Sequence, residues 1–183
     1  MHRLVAVAAA LTACLIMSST VLAATSFGSG VWRVGADIPA GTYRTRLPAA
    51  DCYWERLRGF SGDFDDIITN DFSSGYHIVT IKGTDRGFSS SRCGRWSSNL
   101  SRVSTSITKI GQGDFIPGVD FTPGTYRSSK GDGCYWERLS GWTGDFSKII
   151  ANDFHSGGGV EVVTIRATDK GFSSSRCGTW TKI

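Results

Sequence analysis

The sequence predicts an all-β protein made of two tandem small modules, each a β-sandwich or barrel-like unit with one intramodule disulfide. Three observations carry that prediction. The run Cys52-Tyr53-Trp54-Glu55-Arg56-Leu57 returns letter for letter as Cys134-Tyr135-Trp136-Glu137-Arg138-Leu139, and residues 87–94 return as residues 171–178. Self-similarity at one fixed period is the mark of two copies of one fold. Apolar residues come in short β-branched or aromatic bursts between Gly, Pro, Asn, Asp and Ser, the punctuation of strands and tight turns. No window keeps apolar residues at three-four spacing long enough for a helix. Finally, four of the five cysteines divide two per copy.

Taken in order, residues 1–24 read as a secretory signal peptide. His2 and Arg3 precede the apolar run from Leu4 to Met17, and small residues close the segment at Val21-Leu22-Ala23-Ala24. Cleavage is expected after Ala23 or Ala24, which leaves no membrane span. The rival reading is a lipoprotein anchor, because Leu11-Thr12-Ala13-Cys14 has the residue types of a lipobox. The apolar run continues past Cys14, which argues against it.

Module 1 is expected over residues 28–97, a polar serine-rich linker over 98–110, and module 2 over 111–183. Candidate strands in module 1 are Val31 to Val34, Thr42 to Thr45, Cys52 to Leu57, Ile67 to Thr69, His77 to Ile81 and Arg92 to Ser97, with equivalents in module 2. The copies differ in length mainly at 74–77 against 156–161, where added residues imply an exposed hairpin tip. Modules of this size bury a modest core and commonly need covalent help. With Cys14 in the leader, an independently folding repeat selects Cys52 with Cys93 and Cys134 with Cys177 out of three possible pairings. Export to an oxidising compartment makes them disulfides. Each closes a loop of about 40 residues, worth about 4 kcal/mol in chain entropy.

Charge and motifs exclude several functions. Net charge is +4, mixed along the chain without a basic run, so nucleic acid is not an expected partner. No glycine-rich phosphate loop precedes a helix, so no cofactor is expected. No metal site is expected either. His77 and His155 have no counterparts in the other copy and read as solvated. Asp63, Asn70 and Asp71 recur as Asp145, Asn152 and Asp153; such oxygens are calcium ligands, but module 2 puts Ser147 and Lys148 where module 1 has Asp65 and Asp66, and Asx turns are the simpler reading.

Strand alternation places Cys52, Trp54 and Arg56 on one face and Tyr53, Glu55 and Leu57 on the other. Trp54, Trp136, Phe88, Phe172, Trp96 and Trp180 are therefore expected in the core. Glu55 and Arg56 point to opposite faces and cannot serve as one acid-base pair. Each reads as a surface or cross-strand ion pair, with Arg92 and Arg176 available as partners. The copied carboxylates Glu55, Asp63, Asp71 and Asp85 offer no way to choose a glycosidase pair. Ser89 to Ser91 lack a copied histidine. No catalytic residue is expected, and the protein reads as non-enzymatic. The candidate ligand-binding residues are aromatic: Phe60, which becomes Trp142 in the second copy, Tyr43 with Tyr126, and Tyr53 with Tyr135. Such rings can stack on sugars or anchor a protein partner, and Phe60 and Trp142 read equally as a hydrophobic plug between sheet and loop.

The motifs Gly-Thr-Tyr-Arg, Cys-Tyr-Trp-Glu-Arg-Leu and Gly-Phe-Ser-Ser-Ser-Arg-Cys-Gly-x-Trp resemble a module of exported proteins from high-GC Gram-positive bacteria, found alone, in tandem or joined to other domains. The resemblance covers nearly all of the chain beyond the leader. It implies export and modularity and assigns no functional residue. The expected function is thus a secreted or cell-wall-associated binding protein that engages an envelope glycan or an extracellular protein. Its two weak sites would gain avidity if the linker lets both engage. A secreted inhibitor or toxin-like effector is the first alternative, with residues 47–50 against 130–133 as the divergent loop. A structural envelope component is the second.

Overall fold

The computed structural model describes residues 25–129 and 131–183, so the signal peptide and the Cys14 alternative lie outside the described residues. Module 1 contains β1 (Ser26–Phe27), β2 (Gly30–Arg33), β3 (Gly41–Thr45), β4 (Ala49–Leu57), β5 (Ile67–Gly75), β6 (Ile78–Ile81), β7 (Gly87–Ser91) and β8 (Trp96–Ser97). They form two antiparallel four-stranded sheets, in the orders β1-β8-β3-β6 and β2-β7-β4-β5. Module 2 repeats this with β9 (Lys109–Ile110), β10 (Gly113–Phe115), β11 (Gly124–Ser128), β12 (Cys134–Leu139), β13 (Ile149–His155), β14 (Val162–Ile165), β15 (Gly171–Ser175) and β16 (Trp180–Lys182). Its sheets run β14-β11-β16-β9 and β10-β15-β12-β13. Each module is a sandwich.

The core follows the alternation in sequence. In module 1, Phe27, Tyr43, Val79, Ile81 and Trp96 from one sheet meet Cys52, Trp54 and Phe88 from the other. Module 2 repeats the arrangement around Phe172, with Trp180 set edge-on and Trp136 stacked against it. The disulfides are Cys52–Cys93 and Cys134–Cys177. Cys93 and Cys177 sit where the chain leaves one sheet for the other, in turns opened by Arg92 and Arg176 at φ 57° and 56°.

The short edge strands β1 and β9 and two central strands escape sequence inspection. Gly87–Ser91 and Gly171–Ser175 are central in their sheets, although glycine and serine are poor strand formers. Their buried serines are satisfied from inside: the Trp96 indole N–H donates to Ser90 Oγ (3.2 Å) and the Trp180 indole to Ser174 Oγ (2.7 Å).

The copied Arg56 is not at the surface. Its guanidinium is buried and grips Asp85 in bidentate fashion, at 2.7 and 2.8 Å. Arg138 repeats the pair with Asp169 at 2.7 and 2.9 Å. Burial alone would push the Asp169 carboxyl up, but Arg138 and the Arg166 N–H outweigh it and hold the pKa below the usual range. Glu55 and Glu137 pair with neither Arg92 nor Arg176; each accepts the hydroxyl of Tyr53 or Tyr135 beside it.

The modules are packed against each other. Arg44 Nη1 and Nη2 donate to Asp120 Oδ1 (3.2 Å) and Oδ2 (3.0 Å) in a fully buried pair that crosses from one module to the other. The Thr80 N–H donates to the Trp142 carbonyl (2.7 Å), Lys82 Nζ to Asp145 Oδ2 (2.9 Å), and Arg56 Nη1 to the Thr143 carbonyl. Ile78 of module 1 lies in one apolar cluster with Leu139 and Trp142, flanked by Ile116 and Ile149. Connecting residues are pinned too. The carbonyls of Leu100 and Ser101 accept Arg44 Nη1, and the Val103 N–H donates to Asp120.

The hairpin tip of module 1 is likewise docked, contrary to the expectation of exposure. The Asp114 N–H donates to the Tyr76 carbonyl (2.7 Å), and the Tyr76 ring meets Phe115 edge-on. Gly75, at φ 116°, lies so close to the Gln112 carbonyl that a side chain there would collide. His77 follows this tip into the junction and is buried, not solvated.

Candidate binding surface

The outer face of the β2-β7-β4-β5 sheet carries the row Val31, Ser89, Glu55 and Asn70 across its four strands. Beside it the chain leaves β4, loops through residues 58–66 and makes a short turn at Phe64–Asp66 before β5. Loop and sheet enclose a groove of about 440 Å³ with Leu57 and Ile67 among its apolar lining and Val31, Tyr53, Phe60 and Phe64 around it. Phe60 is 51% exposed and Phe64 90% exposed. The Phe60 ring rests directly over Gly87, where a Cβ would strike it. Glu55, Asp63 and Asp66 supply negative charge at the rim. The Ser61 N–H and hydroxyl bond Asp66 and hold its carboxyl below the usual range, so this charge persists in mild acid.

Module 2 builds the same surface and fills it. Trp142 rests over Gly171 as Phe60 rests over Gly87, but it is only 9% exposed because module 1 covers it. Asp145, the copy of Asp63, is taken by Lys82, and this ammonium holds its carboxyl below the usual range. Trp142 is therefore a plug between modules, and the expectation of a surface platform there is corrected. Tyr43 and Tyr126 are also not surface residues. Both are buried, with hydroxyls donating to the carbonyls of Pro39 and Thr122 at 2.7 Å. Tyr53 and Tyr135 are half-buried beside Glu55 and Glu137; burial and the carboxylate push the Tyr135 phenol up to about 12.

Val31 has Asp114 as its copy, and that exchange creates an acidic knot at the junction. The Ile78 N–H donates to Asp114 Oδ2 (2.8 Å), and Asp71 Oδ2 lies 3.5 Å from His77 Nδ1. Burial pushes the Asp114 carboxyl up to about 6, against the pull of His77 and the Ile78 N–H, while Asp71 adds to the rise. Burial also raises Glu137, with the Tyr135 hydroxyl opposing and the Asp71 charge reinforcing the shift. Sequence reasoning missed the junction residues Arg44, Asp120, Ile78 and Lys82. The available signal lay where the copies differ: Val31 against Asp114, and His77 against Glu161, mark a surface that is not used alike in both halves.

The chain matches the Rv1352-like extracellular domain twice, over residues 24–97 and 107–181. It belongs to that family. Both copies of the Rv1352-like domain coincide with the two sandwiches, and the second match takes in β9, whose residues sequence reading places in the linker. The protein is secreted or otherwise extracellular, and no helix among the described residues is long and apolar enough to cross a membrane. No curated protein and no solved structure matches this tandem Rv1352-like chain.

Proposed function

We propose that the protein is a non-enzymatic binding protein that engages an extracellular glycan or protein through the module 1 groove at Phe60. One observation carries this reading. The equivalent surface of module 2 is occupied by a strand edge, an isoleucine and a lysine from module 1, which supports this face as one that takes ligands. Apolar walls with a few placed polar groups suit such a role. Packing of the modules removes the case for two equal sites on a flexible tether, so one groove carries the binding. Retention of the mature chain on insoluble cell wall, chitin or cellulose, and on immobilised surface proteins, tests it. Phe60→Ala should lower retention at least several-fold while leaving the fold intact, and unchanged retention on every matrix would reject the groove.

The inhibitor reading keeps one observation of its own. Leu47 is 76% exposed on the loop between β3 and β4, next to the Cys52–Cys93 bond, a placement suited to a presented side chain. Residual activity of serine proteases in excess protein checks it, with Leu47→Ala as the control.

A further inference from the structure

The two modules meet through different faces. Module 1 contributes Arg44, Ile78, Thr80 and Lys82, and module 2 receives them at Asp120, Trp142 and Asp145. Because the fold is repeated, each module carries both faces, and the contact inside the chain uses only one of each. Module 1 is left with an unused receiving face at Asp37, Phe60 and Asp63. Module 2 is left with an unused inserting face on the edge strand β14, at Val162, Thr164 and Arg166, together with Arg127 of β11.

We propose that these two leftover faces bind each other between copies of the chain, head to tail, with β14 of one copy seated on the Phe60 groove of the next. The inference rests on the groove being a binding surface and names a second copy as its occupant. The residue chemistry is retained at the contacts of Ile78, Lys82 and Arg44, while Arg33 stands where Ile116 flanks the apolar cluster. Val162 stands for Ile78 and Phe60 for Trp142, so an aliphatic side chain again faces an aromatic ring. Val162 is 56% exposed where Ile78 is 2% exposed, the difference a missing neighbour makes. Arg166 and Asp63 reproduce the signs of Lys82 and Asp145, and Arg127 and Asp37 those of Arg44 and Asp120. Among the described residues Arg127 forms no ion pair, and Asp37 is engaged only by the exposed Arg33. Thr164 occupies on β14 the position that Thr80 holds on β6, where the N–H reaches across to the partner loop.

The departures set the strength of the contact. Val31 replaces Asp114, Ala151 replaces Thr69, Glu161 replaces His77, and the module 2 hairpin is two residues longer through Gly157, Gly158 and Gly159. The polar bonds of Asp114, Thr69 and the docked tip have no equivalent, so association between copies is reversible while the contact inside the chain is permanent. A face pair of this heterologous kind either closes into a ring or runs on as an open chain.

Sedimentation and light scattering on the mature protein, from micromolar to millimolar concentration, test the proposal. Wild-type mass should climb with concentration to twice the monomer or beyond. Phe60→Asp and Val162→Asp alter exposed side chains, should melt like wild type, and should each remain monomeric. Mixed in equal amounts they should give a dimer and nothing larger, because each supplies one intact face. A monomer at every concentration, association undiminished in either variant, or a mixture that stays monomeric overturns self-assembly. If the protein stays monomeric yet Phe60→Ala loses retention on wall or protein, the groove reading survives with a foreign ligand. If retention is also unchanged, both fall.

Discussion

Arg44 and Arg127 are the same residue of the repeat in opposite circumstances. Arg44 is fully buried against Asp120, whereas Arg127 is exposed on β11. Removing one member of a buried pair strands the other charge and costs about 3–5 kcal/mol, so Arg44→Ala should lower stability to urea by that order. Arg127→Ala in the isolated chain should stay within about 0.5 kcal/mol of wild type, as surface changes do. Asp114 offers a pH test. Its pKa rises from 3.8 in a free side chain to about 6 in the fold, so the native state holds the proton more tightly than the unfolded state. That contribution to stability is complete below pH 3.8 and is lost as pH rises through about 6. Asp145 and Asp169 have lowered pKa values and act in the opposite sense, losing their contribution as pH falls through the acid range. Asp114→Asn should therefore flatten the decline of stability between pH 4 and pH 6 without changing the acid limb below it, as read from urea midpoints against pH.

At the scale of the strand, β7 and β15 depend on a bond that composition conceals. Ser90→Ala or Ser174→Ala would leave a buried indole N–H without its acceptor, at roughly 1–3 kcal/mol each, measurable by thermal melting. Ser89→Ala, on the outer face, should do much less. The same strands explain what was legible beforehand. The inward pair Cys52 and Trp54, the disulfide pairing and the tandem sandwiches follow from alternation and repetition, which depend on local pattern, whereas the burial of Arg56 against Asp85 does not. A central strand written Gly-Phe-Ser-Ser-Ser does not, because only a tryptophan from a later segment makes its serines acceptable inside. The burial of Trp142 was equally hidden, since it is covered by the other module and a single module's pattern cannot report that, and His77 turns inward against Trp96 and Asp71 beside the junction. Phe60, with no such cover, is 51% exposed, a choice between surface platform and plug that the sequence leaves open. At the hairpin tip, Gly75→Ala combines a positive φ with a collision against Gln112 and should loosen the junction, whereas Gly83→Ala meets only the Ala40 Cβ at 4.0 Å, an ordinary contact, and should be silent. Limited proteolysis near residue 76 separates the two.

For the whole molecule, the junction predicts cooperation. The buried Arg44–Asp120 pair, the Trp142 plug and the pinned residues 99–104 should make both modules melt in one calorimetric transition, and Trp142→Ala should split it in two. The position of β16 has a different consequence. Trp180–Lys182 does not lie at a sheet margin but between β11 and β9, paired on both sides, with Trp180 in the core. Export delivers a chain amino-end foremost, so the second sandwich must wait for this inner rung until every other strand of that sandwich has emerged. The first sandwich, whose matching rung is Trp96–Ser97, can close much earlier and offer a finished wall for the later half to settle on.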